Sequence, residues 1–116
     1  MMSTIRIVAQ PGWGTGSGTK VWPFNNIGTA PTQVVGPNAY RESITFSNPG
    51  TATVFVGPLT DANGKPFTPS MSALGGTFPV VGGAQLTIVG ECQVGWQALA
   101  LSGTTNPFTV YESNLS

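Results

Sequence analysis

The sequence predicts an all-β fold, an antiparallel β-sandwich or jelly-roll with an extended N-terminal arm. Three observations carry the prediction. Short runs of β-branched and aromatic residues alternate with polar ones, as in Ser43–Ser47 and Thr53–Gly57. Turn residues (Gly, Pro, Asn) separate the runs at short intervals. No stretch shows helical periodicity over the length a helix needs.

Residues 1–39 differ from the remainder and read as the arm, with the β-sandwich domain at 40–116. Thr4–Gln10 has the alternation of a short strand. Pro11–Lys20 carries Gly at positions 12, 14, 16 and 18, too many to hold regular structure alone. Trp13, Trp22 and Phe24 interleave with this stretch, and a plain linker has no use for such residues. They read as partner contacts, aromatic anchors seated on a neighbouring chain. The other reading folds the segment back over its own domain.

Arg41–Pro58 reads as a β-hairpin, with Asn48-Pro49-Gly50-Thr51 as its turn. Ile44, Phe46, Val54 and Val56 then face the core. Asp61–Lys65 is a loop tip by composition, and Thr68-Pro69 has the form of a cap on one helical turn ending near Gly75. Thr77–Val89 reads as a second hairpin around Gly82-Gly83. Pro79 cannot donate to a ladder, which places its strand at an edge or a bulge. Gln93–Leu101 is apolar on both faces toward its end, as a central strand is, with Trp96 in the core. Gly103–Asn106 turns the chain into a last strand, Phe108–Ser113.

Composition narrows function. At 116 residues the chain suits one domain with a modest core. Only 7% of residues are charged, and the net charge is zero. Nucleic-acid binding needs clustered Lys and Arg, so no nucleic-acid partner is expected. A surface this poor in charge favours association, so other chains are expected to cover much of it. No run reaches the roughly 20 apolar residues of a membrane helix, and the first thirty residues lack the apolar core of a signal peptide. Cys92 is the single cysteine, so no intrachain disulfide forms.

Catalytic templates fail on inventory. Without histidine there is no Ser–His–Asp or Cys–His constellation and no His-containing zinc site. The acids at 42, 61, 91 and 112 are scattered, and Glu91 and Glu112 read as surface carboxylates rather than a glycosidase pair. The glycine-rich stretch meets neither the phosphate-loop nor the dinucleotide fingerprint. Ser17-Gly18-Thr19-Lys20 matches the acylating Ser-x-x-Lys pair without its helix or partner motifs. Asp61-Ala62-Asn63-Gly64 is a calcium-loop fragment without the remaining ligands, and a turn explains it better. No catalytic residue, metal or cofactor is expected.

The run RESITFSNPGTATVFVGP, the stretch ALGGTFPVVGGAQLTIVGECQVGWQALA and the closing TVYES together resemble small β-sandwich virion proteins of tailed bacteriophages. The resemblance covers about residues 40–113 and leaves the arm outside. It implies a structural protein of the capsid exterior, a decoration (cement) protein that stabilises the lattice of the major capsid protein and associates with its own copies as trimer or dimer. The alternatives are a tail or head–tail connector component, or a carbohydrate-binding module for host adhesion. Assembly would take place in the host cytoplasm, and the resemblance implies no catalytic residues.

Overall fold

The computed structural model describes residues 18–68, 77–90 and 92–114. They form eight strands: β1 (Gly18–Ile27), β2 (Thr32–Val35), β3 (Arg41–Ser47), β4 (Val54–Pro58), β5 (Phe78–Val80), β6 (Gln85–Val89), β7 (Trp96–Ala100) and β8 (Asn106–Asn114). One four-stranded sheet has the order β1-β8-β3-β6 and the other β2-β7-β4-β5, with every pair antiparallel. This is a double-sheet jelly roll. Its logic is simple: the chain doubles back on itself so that β1 meets β8, β2 meets β7, β3 meets β6 and β4 meets β5. Rolling up that long hairpin then brings β8 beside β3 and β7 beside β4.

The core lies between the sheets. Ile44, Phe46, Phe108 and Val110 from the first meet Val54, Val56, Trp96 and Ala98 from the second, all buried. Phe46 links the layers, with its ring edge-on to Trp96 at 5.4 Å and stacked on Phe108 at 6.1 Å. The expected positions of two strands hold. β7 is interior to its sheet and buried at every residue, and β5, which carries Pro79, is an edge.

Two expected hairpins are corrected. β3 and β4 lie in different sheets, and so do β5 and β6. Each connection is an arch that crosses the sandwich. Alternation puts Ile44, Phe46, Val54 and Val56 toward the core in either geometry, because it sets the face of a strand and not its neighbour. The two arches are bolted together by Asn48, which is buried. Its Nδ2 donates to the carbonyls of Ala52 and Val80, both at 2.8 Å, and its Oδ1 accepts from Gly50 N at 3.0 Å. Its backbone accepts from Gly83 N and donates to Ala84 O. Gly82 lies so close beneath the first arch that a Cβ there would come 2.7 Å from Gly50 O.

The expected boundary near residue 40 also moves. β1 and β2 are strands of the two sheets, so the sandwich begins by Gly18, and residues 18–39 fold onto their own domain. The expected strand at Thr4–Gln10, the anchor Trp13, most of the expected helical turn after Thr68, and Glu91 lie outside the described residues.

The outer faces of the two sheets differ. On the second sheet, the outward residues Phe55, Gly57, Gln97 and Leu99 are buried. The loop after β4 lies over Gly57 and Gln97. Gln97 Nε2 donates to the carbonyls of Pro58 and Phe67, and the Phe67 ring sits above Gly57. Asp61 organises the tip of that loop as an Asx turn, accepting from Asn63 N and Lys65 N at 2.8 and 3.0 Å, as its composition indicated. On the first sheet the outer face is open. Its central row, across the sheet, is Val21, Tyr111, Thr45 and Thr87. The flanking rows are Thr19, Ser113, Ser43 and Val89, then Pro23, Thr109, Ser47 and Gln85. None of these twelve positions carries a charge.

Candidate functional site at the Arg41–Glu112 cleft

β3 is held at one end by Asn48 and at the other by Arg41. Arg41 is 1% exposed, and all three nitrogens of its guanidinium are engaged by main chain and carboxylate. Nε donates to Glu112 Oε1 at 2.8 Å. Nη1 donates to the carbonyls of Cys92 and Val94, and Nη2 to that of Gly36, all within 2.8 Å. One side chain thus ties the β2–β3 and β6–β7 connections to β8. The rigid fork of guanidinium donors suits this task, where a lysine would reach only one or two of the carbonyls.

Glu112 is the other half. It follows Phe108 and Val110 on the inward face of β8 and is 2% exposed. The expectation of a surface carboxylate is therefore corrected. Besides Arg41, its Oε1 accepts from Asn38 Nδ2 at 3.2 Å, and its Oε2 accepts from the indole Nε1 of Trp22. Asn38 also donates to Asn114 Oδ1 at 2.9 Å. Burial alone would raise the Glu112 pKa. The hydrogen bonds from Arg41, Trp22 and Asn38, together with the Arg41 charge, outweigh it and hold the carboxyl below its ordinary value. The group therefore stays ionised at neutral pH.

Cys92 lies behind this knot, fully buried, with Sγ 3.7 Å from Arg41 O. Burial pushes its thiol pKa up against the opposing pull of Arg41, so it stays protonated and is a poor nucleophile. Neither group is poised for proton transfer near neutral pH. Among the described residues no three metal-ligating side chains come together.

Trp22 and Phe24, expected as arm anchors, lie in β1 on the face toward the sandwich. Their register partners are Val110 and Phe108. Phe24 packs against the core, whereas Trp22 remains 43% exposed. The reason is geometric: β1 is an edge strand, and its inward residues lean over the open end of the sandwich. There Trp22, Lys20, Asn38 and Tyr40 enclose a cleft of about 370 Å³ whose floor is the Arg41–Glu112 pair. Tyr40, which also lines the cleft, is 69% exposed. The structure thus brings Trp22 to a site that the sequence reading built only from the arm, and adds Lys20, Asn38, Tyr40, Arg41 and Glu112 to it.

One signal for Glu112 was present. Strand parity places it on the same face as Phe108 and Val110, and an acid on a core-facing position calls for a buried cation. Arg41 gave no such signal, because a register shift between Arg41 and Ser43 breaks its parity with Ile44 and Phe46. Comparison of the chain with protein-family models, with curated proteins and with solved structures gives no significant match.

Proposed function

We propose that the protein is a non-enzymatic structural component of a bacteriophage particle, a decoration protein that covers and stabilises the lattice of the major capsid protein. The observation that carries this reading is the outer face of the first sheet: four strands wide, open, and without a charge at any of its twelve positions. A protein working alone in solution gains by placing Lys and Glu on such a face. Thr, Ser, Val and one central Tyr instead suit close contact with another chain. The resemblance of residues 40–113 to small phage virion proteins gives that contact its setting.

Magnitude says what else is needed. Four strands about 4.8 Å apart and three rows about 6.8 Å apart span on the order of 400 Å². A stable interface buries about 800 Å² per partner. The face therefore supplies about half, and residues 1–17, with Trp13, are assigned the rest.

The test is binding to purified capsids that lack the protein. Two changes are made separately: deletion of residues 1–17, which spares β1, and Thr45→Lys with Tyr111→Glu, which charges the face without touching the core. Each should leave a folded domain by circular dichroism and reduce capsid binding at least about tenfold. Undiminished binding by the charged variant would overturn the reading.

A further inference from the structure

The cleft at the open end carries features that packing alone does not require. We propose that it is a binding site for a saccharide of one or two pyranose rings bearing a carboxylate, recognised by Trp22, Tyr40 and Lys20 over the Arg41–Glu112 floor.

Its size comes first. About 370 Å³ lies at the lower end of the roughly 300–1,000 Å³ of small-molecule sites, which suits one or two sugar rings. Its walls come second. Trp22 is 43% exposed and Tyr40 69%, and both aromatic residues line the one concavity. Aromatic rings offer an apolar face to the C–H side of a pyranose. Trp22 is also pre-set: its N–H is held by Glu112, so ligand binding need not freeze the ring.

The polar groups come third. Each carboxylate oxygen has two lone pairs. Oε1 of Glu112 accepts from Arg41 and Asn38, while Oε2, among the described residues, accepts only from Trp22 and keeps one acceptor direction open. The second N–H of Arg41 Nη2 and the Tyr40 hydroxyl have no hydrogen-bond partner among the described residues. A spare acceptor, a spare guanidinium N–H and a hydroxyl that does both match the mixed donor–acceptor surface of a polyol.

Charge selects the subclass. Among the described residues that line the cleft, Lys20 and Arg41 are opposed only by Glu112, and Lys20 makes no ion pair. One positive charge is left at the rim. A neutral sugar leaves it unused, whereas a uronic-acid carboxylate pairs with it.

The inference is independent of the proposed role in assembly, because the cleft and the outer face of the first sheet are separate surfaces. The experiment is a titration of the full chain with digalacturonate, followed by the indole N–H resonances in ¹H–¹⁵N spectra. The Trp22 signal is assigned with Trp22→Phe, and galactose and lactose serve as neutral counterparts. Digalacturonate should shift the Trp22 resonance with a dissociation constant on the order of 1 mM. Lys20→Gln and Tyr40→Ala, both at exposed positions, should each weaken binding at least about tenfold while the Trp96 resonance stays in place. No shift of Trp22 at saturating digalacturonate would overturn the proposal. So would equal affinity for the neutral sugars, or unchanged affinity in both variants.

Discussion

Replacing Glu112 with Gln removes one charge from a knot that holds three chain segments, and the expected loss is large. In the native chain Glu112 accepts from Arg41, Asn38 and Trp22 while almost wholly buried. A glutamine keeps one carbonyl oxygen for Arg41 and Asn38. Its amide nitrogen then confronts the Trp22 N–H, donor against donor, and the Arg41 charge is left without its counter-ion. Breaking a buried pair on one side costs about 3–5 kcal/mol. A domain of this length has a total stability of roughly 6–17 kcal/mol. The variant therefore loses from about a fifth to most of it. At about 2–8 °C per kcal/mol for domains of this size range, the midpoint should fall by roughly 6–40 °C. Urea unfolding followed by tryptophan fluorescence measures the change directly, and an unchanged m-value shows that both end states are comparable. Arg41→Leu should cost at least as much, because it also takes the side-chain donor from the carbonyls of Gly36 and Val94 and leaves that of Cys92 only the Trp96 N–H. If Glu112→Gln unfolds within about 1 kcal/mol of the parent, the knot is not what holds this end of the sandwich, and the reasoning fails.

Acid should act through the same group. The folded pKa of Glu112 lies below 4.5, its ordinary value, so its stabilisation is complete above that pH and is lost as pH falls from there through the folded pKa. Urea midpoints taken between neutral and acid pH should show this slope in the parent, and Glu112→Gln should lack it. Gly82→Ala places a methyl 2.7–2.9 Å from backbone atoms of Gly50 and Thr51, which cannot yield as a side chain would; a loss of about 1–3 kcal/mol is expected in the same assay. Asn48→Asp keeps the size and the acceptor for Gly50 N but turns a carboxylate oxygen toward the carbonyls of Ala52 and Val80. It should destabilise by about 2–4 kcal/mol, more than Asn48→Ala, and a reversed order would show that Nδ2 is not the part that matters.

The fold class was legible because alternation is a local property. Ile44, Phe46, Val54, Val56, Phe108 and Val110 all face the core as their parity requires, and Pro79 and the two-sided β7 gave an edge and an interior position correctly. Partners were not legible. A hairpin and an arch place the same residues inward, and only the long-range pairing of β3 with β6 and β8 tells them apart. The extent of the sandwich was misread at its start for a related reason. Val21, Trp22 and Pro23 look like an arm because β1 is an edge strand, exposed along most of its length, and exposure removes the polar–apolar contrast that marks a strand. The cleft was half legible. Trp22 stood out by type; Glu112 carried a parity signal but read as a surface carboxylate, the bulge at Glu42 hid Arg41, and nothing local shows that residues 71 positions apart meet.

The position of the polar knot follows from the topology. In a rolled-up hairpin, β3 and β8 become neighbours only when the roll closes, because the doubled chain had paired them with β6 and β1. That closing contact brings Ile44 opposite Glu112 and Arg41 opposite Asn114. Apolar residues would bury area there in several registers of β3 against β8. A single buried acid and a single buried base, each with directional partners, are satisfied in one. A slip by one residue turns Glu112 to the outer face and leaves Arg41 buried without a counter-ion, at a cost of several kcal/mol. The same pair fixes the β2–β3 and β6–β7 connections through Gly36, Cys92 and Val94, and these shape the wall of the cleft that carries Tyr40. Register, closure of the roll and the shape of the open end therefore rest on one contact. That is why a chain so poor in charge keeps an arginine and a glutamate in its interior.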